Sequence, residues 1–102
     1  MFFKPGVKTA PGALTVAEAL HLAFPGQVAA VAIADSPAAA RQREALKLGV
    51  PVYDGTAVRA AYGVVAFPQF LVVDAAGRLA WRFDGYGPEV GYLAKQEMDR
   101  AK

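Results

Sequence analysis

Apolar and polar positions follow two periods along this chain, and the switches between them predict its elements. Met1 to Phe3 is apolar and β-prone, and Lys4-Pro5-Gly6 stops it, so it reads as a very short strand. Thr15-Val16-Ala17-Glu18 has the form of a capping box, with the threonine hydroxyl accepting from an orphan N–H and the glutamate reaching back to the cap. It predicts a helix from about Val16 to Ala23, covered by Val16, Leu20 and Phe24, which Pro25-Gly26 ends. Val28 to Ala34 is a continuous run of small apolar residues, the pattern of a buried parallel strand. Ser36 as N-cap and Pro37 at the first helical position open a second helix, ending at Gly49 before Pro51. With the short strand or extended link from Val50 to Tyr53, this makes a βαβ unit with parallel pairing and a right-handed crossover.

The second half is more sharply patterned. Thr56 to Tyr62 reads as a helix of one to two turns, closed by Gly63, which can take the left-handed conformation without a side-chain clash. Phe70 to Val73 is a run of four large apolar residues between Pro68 and the turn Asp74-Ala75-Ala76-Gly77, as for a strand buried on both faces. From Arg78 the pattern alternates, with Leu79, Trp81 and Phe83 on one face and Arg78, Ala80, Arg82 and Asp84 on the other, which predicts an antiparallel partner strand. After the turn Asp84 to Pro88, the positions Val90, Leu93, Ala94, Glu97, Met98 and Ala101 approximate a helical period.

Tyr62-Gly63-Val64, the proline at position 68, a hydrophobic strand, Asp74-x-x-Gly77 and a second strand together resemble the carboxy-terminal half of thioredoxin-like proteins. The similarity is greatest to the bacterial TlpA-type and AhpC/TSA-type redoxins and strongest from Asp54 to Tyr86. It implies an α/β chain with the thioredoxin-like three-layer α/β/α fold, a central mixed sheet of about four strands flanked by helices. It also implies one domain over residues 1–102, short of the family at its amino-terminal strand. In such proteins the proline is cis and lies beside the redox centre, and the backbone before it pairs with bound thiol substrates. Carried over, Pro68 is the cis-proline, Phe67 offers the backbone edge, and the loop from Tyr86 to Pro88 borders it. The family usually has threonine after this proline, where this chain has Gln69.

Aligning the thioredoxin Cys-x-x-Cys pattern from Phe2 places the two cysteines at Val7 and Ala10, and a peroxiredoxin-like alignment places the reactive position near Ala13. None is cysteine, and the whole chain has none. Disulfides, thiolate nucleophiles and zinc sites of Cys/His type are therefore excluded. The single histidine, His21, has no candidate partner for base catalysis and reads as a partly exposed helix residue. A non-thiol enzyme built on Asp35, Asp54 and Asp84 is a further reading, but nothing in their spacing gives a mechanism, and Asp35 beside Ser36 suits a turn and cap.

A net charge of +2 is spread as isolated basic residues over every segment, so no nucleic-acid partner is expected. No apolar stretch approaches the roughly 20 residues of a membrane span, and the amino terminus lacks the order of a signal peptide. The expectation is a cytoplasmic protein with no membrane, metal or cofactor. Its leading function is a redox-inactive binding or assembly module taking an extended protein or peptide partner at Phe67, Pro68 and Tyr86, with a homodimer also possible. The alternative is a thiol-disulfide oxidoreductase or thiol peroxidase whose cysteines are replaced or missing.

Overall fold

The structure is a computed structural model, and residues 1–33, 36–55 and 68–100 are described. Their elements run β1 (Phe2–Phe3), α1 (Ala10–Ala23), β2 (Ala30–Ala32), α2 (Ser36–Ala45), β3 (Val52–Asp54), β4 (Gln69–Val73), β5 (Leu79–Asp84) and α3 (Val90–Arg100). The strands form one mixed sheet in the order β3-β2-β1-β4-β5. β1, β2 and β3 are parallel, with Phe2 opposite Val31 and Val31 opposite Tyr53, while β4 runs antiparallel to β1 and to β5. The sheet thus has five strands where about four were expected, because Val52 to Asp54 is a true edge strand and not a link.

Two right-handed crossovers stepping in the same direction put their helices on the same face of a sheet. Accordingly, Ala10 and Leu14 of α1 and Ala39 of α2 bury against Phe3, Ala30 and Ala32. α3 joins them through Val90, which packs with Ala13 and Phe70. The opposite face carries Phe2, Val31, Ile33 and Leu71. Gly55 follows β3 on that side, where a Cβ would run into the Val31 side chain. The helix read over Thr56 to Tyr62 lies outside the described residues, so these residues supply two of the three expected layers.

Helix α1 begins at Ala10, six residues before the expected Val16. Pro11 falls in its first two positions, where the missing N–H is no loss. The capping box does not form. The Thr15 hydroxyl donates back one turn to the Pro11 carbonyl at 2.9 Å, and Glu18 leaves the helix to accept from Gly49 N–H at 2.7 Å and Val50 N–H at 2.8 Å.

Helix α2 stops at Ala45, four residues short of the expected end. Leu48 N–H bonds to the Arg43 carbonyl and Lys47 N–H to that of Glu44, a Schellman closure with Lys47 as its left-handed residue at φ 54°. Among the described residues of the run from Val28, β2 is Ala30–Ala32, pairing over two residues with β1 and over three with β3, and Val28 and Ala29 lie before it. Between β4 and β5 the register slips at Val72 and Val73. Leu79 therefore stands opposite Val73, both exposed, while Trp81 and Phe83 stack at 5.9 Å and pack toward Ala13, Phe70 and Val90. Val73 is thus not buried as the uninterrupted apolar run implied.

At the start of β1 the Met1 ammonium is buried and donates to the Ala29 carbonyl at 2.9 Å. Desolvation lowers its pKa from 8.0 to about 6. Above pH 8 the amine is neutral folded or unfolded, whereas below pH 6 folding buries the charge. A polypeptide beginning at Met1 should therefore lose about 2–3 kcal/mol of stability as pH falls from 8.5 to 5.5, at about 1.4 kcal/mol per pK unit. Urea unfolding at the two pH values measures this loss, and amino-terminal acetylation should abolish it.

Candidate functional site

The residues singled out by sequence meet, in part, where β1 runs out into α1. Two turns carry the chain across, with Val7 N–H donating to the Lys4 carbonyl at 3.1 Å and Ala10 N–H to the Val7 carbonyl at 3.0 Å. Thr9 precedes the helix with helical dihedrals and no side-chain cap, and its hydroxyl is buried without a partner. The first turn of α1 thus presents N–H groups and the positive end of the helix dipole to this corner. The Gln42 amide of α2 braces the loop from below, donating to the Pro5 carbonyl at 2.9 Å.

The three positions that the resemblance aligns with reactive cysteines differ in exposure. Val7 is half-buried and reachable from solvent, Ala10 is 1% exposed, and Ala13 is fully enclosed against Phe70 and Val90. A nucleophile needs access. Of the three, only Val7 meets that condition, since Ala10 and Ala13 are both buried.

Pro68 is buried at the start of β4, and its carbonyl accepts from Gly85 N–H at 2.7 Å. Gly85 has φ 93°, a conformation L side chains rarely adopt, and the chain reverses there to bring Tyr86 over α1. A Cβ added at Gly12 would lie 2.9 Å from Tyr86 Cζ and 3.0 Å from its hydroxyl oxygen, so glycine lets the ring rest on the first turn of the helix without shifting. Tyr86 keeps 45% of its surface exposed. Pro11-Gly12, a dipeptide expected to keep the chain irregular ahead of the helix and to border this edge with the loop from Pro5, lies instead within α1. Phe67 and its bond to Pro68 lie outside the described residues, as does Asp35.

Gln69 is fully buried, its Nε2 donating to Asp84 Oδ1 at 2.7 Å and its Oε1 left without a partner. Asp84 also accepts from Arg82 Nε and Nη2 at 3.1 and 3.0 Å. These bonds, Arg82 first and Gln69 second, hold the Asp84 carboxyl below its usual value, and Asp84 in turn raises Arg82. Asp54 stands on β3 at the opposite edge of the sheet, so it and Asp84 do not form a site. His21 lies in the last turn of α1, away from Val7, with its Nδ1 buried and unpartnered.

No metal-holding group of three His, Cys, Asp or Glu residues occurs among the described residues. Nor is any helix among them long and apolar enough to cross a membrane. Tyr86 rests on Gly12, the preceding Gly85 donates to the Pro68 carbonyl, and Val7 lies in the turn just ahead of α1; none of these residues is a thiol nucleophile.

No protein-family model matches this sequence, and no curated protein does. Among solved structures, the fold is similar to that of a protein from Chlorobium tepidum described as the thiol:disulfide interchange protein DsbE. The two share 17% identity at a TM-score of 0.85, over 98% of this chain and 75% of that one. The mixed sheet, its strand order and this likeness together make the fold thioredoxin-like.

Proposed function

We propose that this chain is a redox-inactive thioredoxin-fold module of TlpA or AhpC/TSA kinship that binds or assembles with another protein. An extended segment of the partner lies along the Phe67 to Pro68 edge and against Tyr86, held by backbone pairing. One observation carries the reading. A half-exposed position and a buried one stand three residues apart at the start of α1, as a thiol pair would need, and Val7 and Ala10 fill them with no reactive atom. The neighbour's description as an interchange protein is what makes that loss informative. A cytoplasmic setting and a homodimer are further parts of the proposal, open to fractionation and light scattering.

The wild-type chain is expected to give no insulin reduction and no peroxide consumption above a buffer blank, and turnover in either assay would restore the oxidoreductase alternative. Val7→Cys with Ala10→Cys should create a pair that forms a disulfide and exchanges with small thiols. The accessible residue 7 thiol should titrate below the ordinary cysteine value because of the helix terminus. If the double variant folds but its thiols neither pair nor exchange, the alignment of this loop is wrong. A partner retained by the wild-type chain should be lost with Phe67→Arg and weakened with Tyr86→Ala.

A further inference from the structure

At the other end of β1 from Val7, a crevice of about 460 Å³ opens between α1, α3 and the β4–β5 hairpin. Its floor is apolar and buried, formed by Leu20, Phe70, Val72 and Ala94, with Trp81 and Met98 half-buried beside them. That volume and lining suit a small organic ligand. Among the described residues, Asp74, at the turn that ends β4, is the only charged side chain lining it. Among the described residues, the two hydrogen bonds that the Asp74 carboxylate accepts, from Ala76 and Arg78 N–H at 2.9 Å, both fall on Oδ1, and no Lys or Arg forms a salt bridge with it. The Met1 amine, the other ionisable group at the crevice among the described residues, is already bonded to the Ala29 carbonyl.

We propose that this crevice binds a linear aliphatic ligand with a cationic head, its chain on the Leu20, Phe70 and Val72 floor and its ammonium beside Asp74. An anionic head would meet the carboxylate, and a neutral one would leave it unpaired. The flexible, unbranched Met98 can adapt to an alkyl chain as it could not to a rigid surface. This site is independent of the peptide edge at Tyr86 and stands or falls without it.

Trp81 is the chain's single tryptophan and touches the crevice, so its emission reports occupancy. At pH 7.5, octylammonium, octanol and octanoate are titrated into the intact chain below their aggregation limits. Octylammonium should shift Trp81 emission saturably and bind about fivefold more tightly than octanoate, the range of a partly exposed ion pair. Asp74→Asn keeps the Oδ1 acceptor and should bring the two within twofold. Met98→Phe, or Ala94→Val if the first variant unfolds, should weaken all three ligands by reducing the crevice. No saturable shift with octylammonium, octanoate binding equally well, or a preference unchanged in Asp74→Asn each overturns the proposal.

Discussion

Replacing Gln69 by glutamate should cost about 3–5 kcal/mol at pH 8, the scale of an uncompensated buried charge, and most of that loss should disappear on acidification. Gln69 is fully enclosed, and its amide donates to Asp84 Oδ1 at 2.7 Å. An ionised glutamate has no proton to donate, so it would set two acceptors against each other at that distance. A protonated glutamate has the shape of the amide and can donate where Nε2 does now. Burial and the Asp84 charge both raise the variant carboxyl in the folded state. Its stability is then fully present below the unfolded pKa and is lost as pH rises through the raised folded one. Asp84 has the opposite sign in the wild type. Its carboxyl is depressed, so its contribution is present above the unfolded value and lost only as pH falls through the folded one. Urea unfolding of both proteins at pH 8 and pH 5, taken as a difference at each pH, removes the Met1 contribution. A variant as stable as wild type at pH 8 would mean that Gln69 is not enclosed beside Asp84.

The sheet was legible because its strands are either continuously apolar, as from Phe70, or strictly alternating, as around Trp81 and Phe83, and both patterns have one physical cause in burial. Where they misled, a local device was at work. The slip opposite Val72 and Val73 moved Leu79 out of its row, a displacement no two-residue period can show. Lys47 closes α2 in a conformation usually left to glycine, whereas Gly49 carries the local signal for a helix end. The candidate corner was legible in Val7, Ala10, Pro68 and Tyr86 only through the family resemblance, since small apolar residues and prolines carry no chemical signature of their own. The contact of Tyr86 with Gly12 and the burial of Gln69 are long-range facts. They depend on where β4 and the Gly85 reversal bring the chain, which no local pattern encodes.

Glu18 shows how a motif can be read correctly as chemistry and placed wrongly in space, and it carries the other large expected effect. A carboxylate one turn into a helix was expected to reach its own cap. The helix starts earlier, the cap is not there, and the carboxylate instead closes on the loop between α2 and β3, accepting from Gly49 and Val50 N–H at 2.7 and 2.8 Å. Arg43 holds the same loop from the other side, its Nε donating to the Val50 carbonyl at 2.9 Å. Val50 is fully buried, so water has poor access to an N–H left behind there. Glu18→Ala should therefore lower stability by about 2–4 kcal/mol, from two charge-assisted bonds with a discount for the exposed Gly49 side. Glu18→Gln keeps an acceptor of the same reach and should cost about half as much. Arg43→Ala combined with Glu18→Ala should cost less than the sum of the single variants, because a loop released on one side has less left to lose on the other. Chemical denaturation of the four proteins measures the cycle. Strict additivity would show that the two clamps act on independent parts of the chain and not on one shared loop.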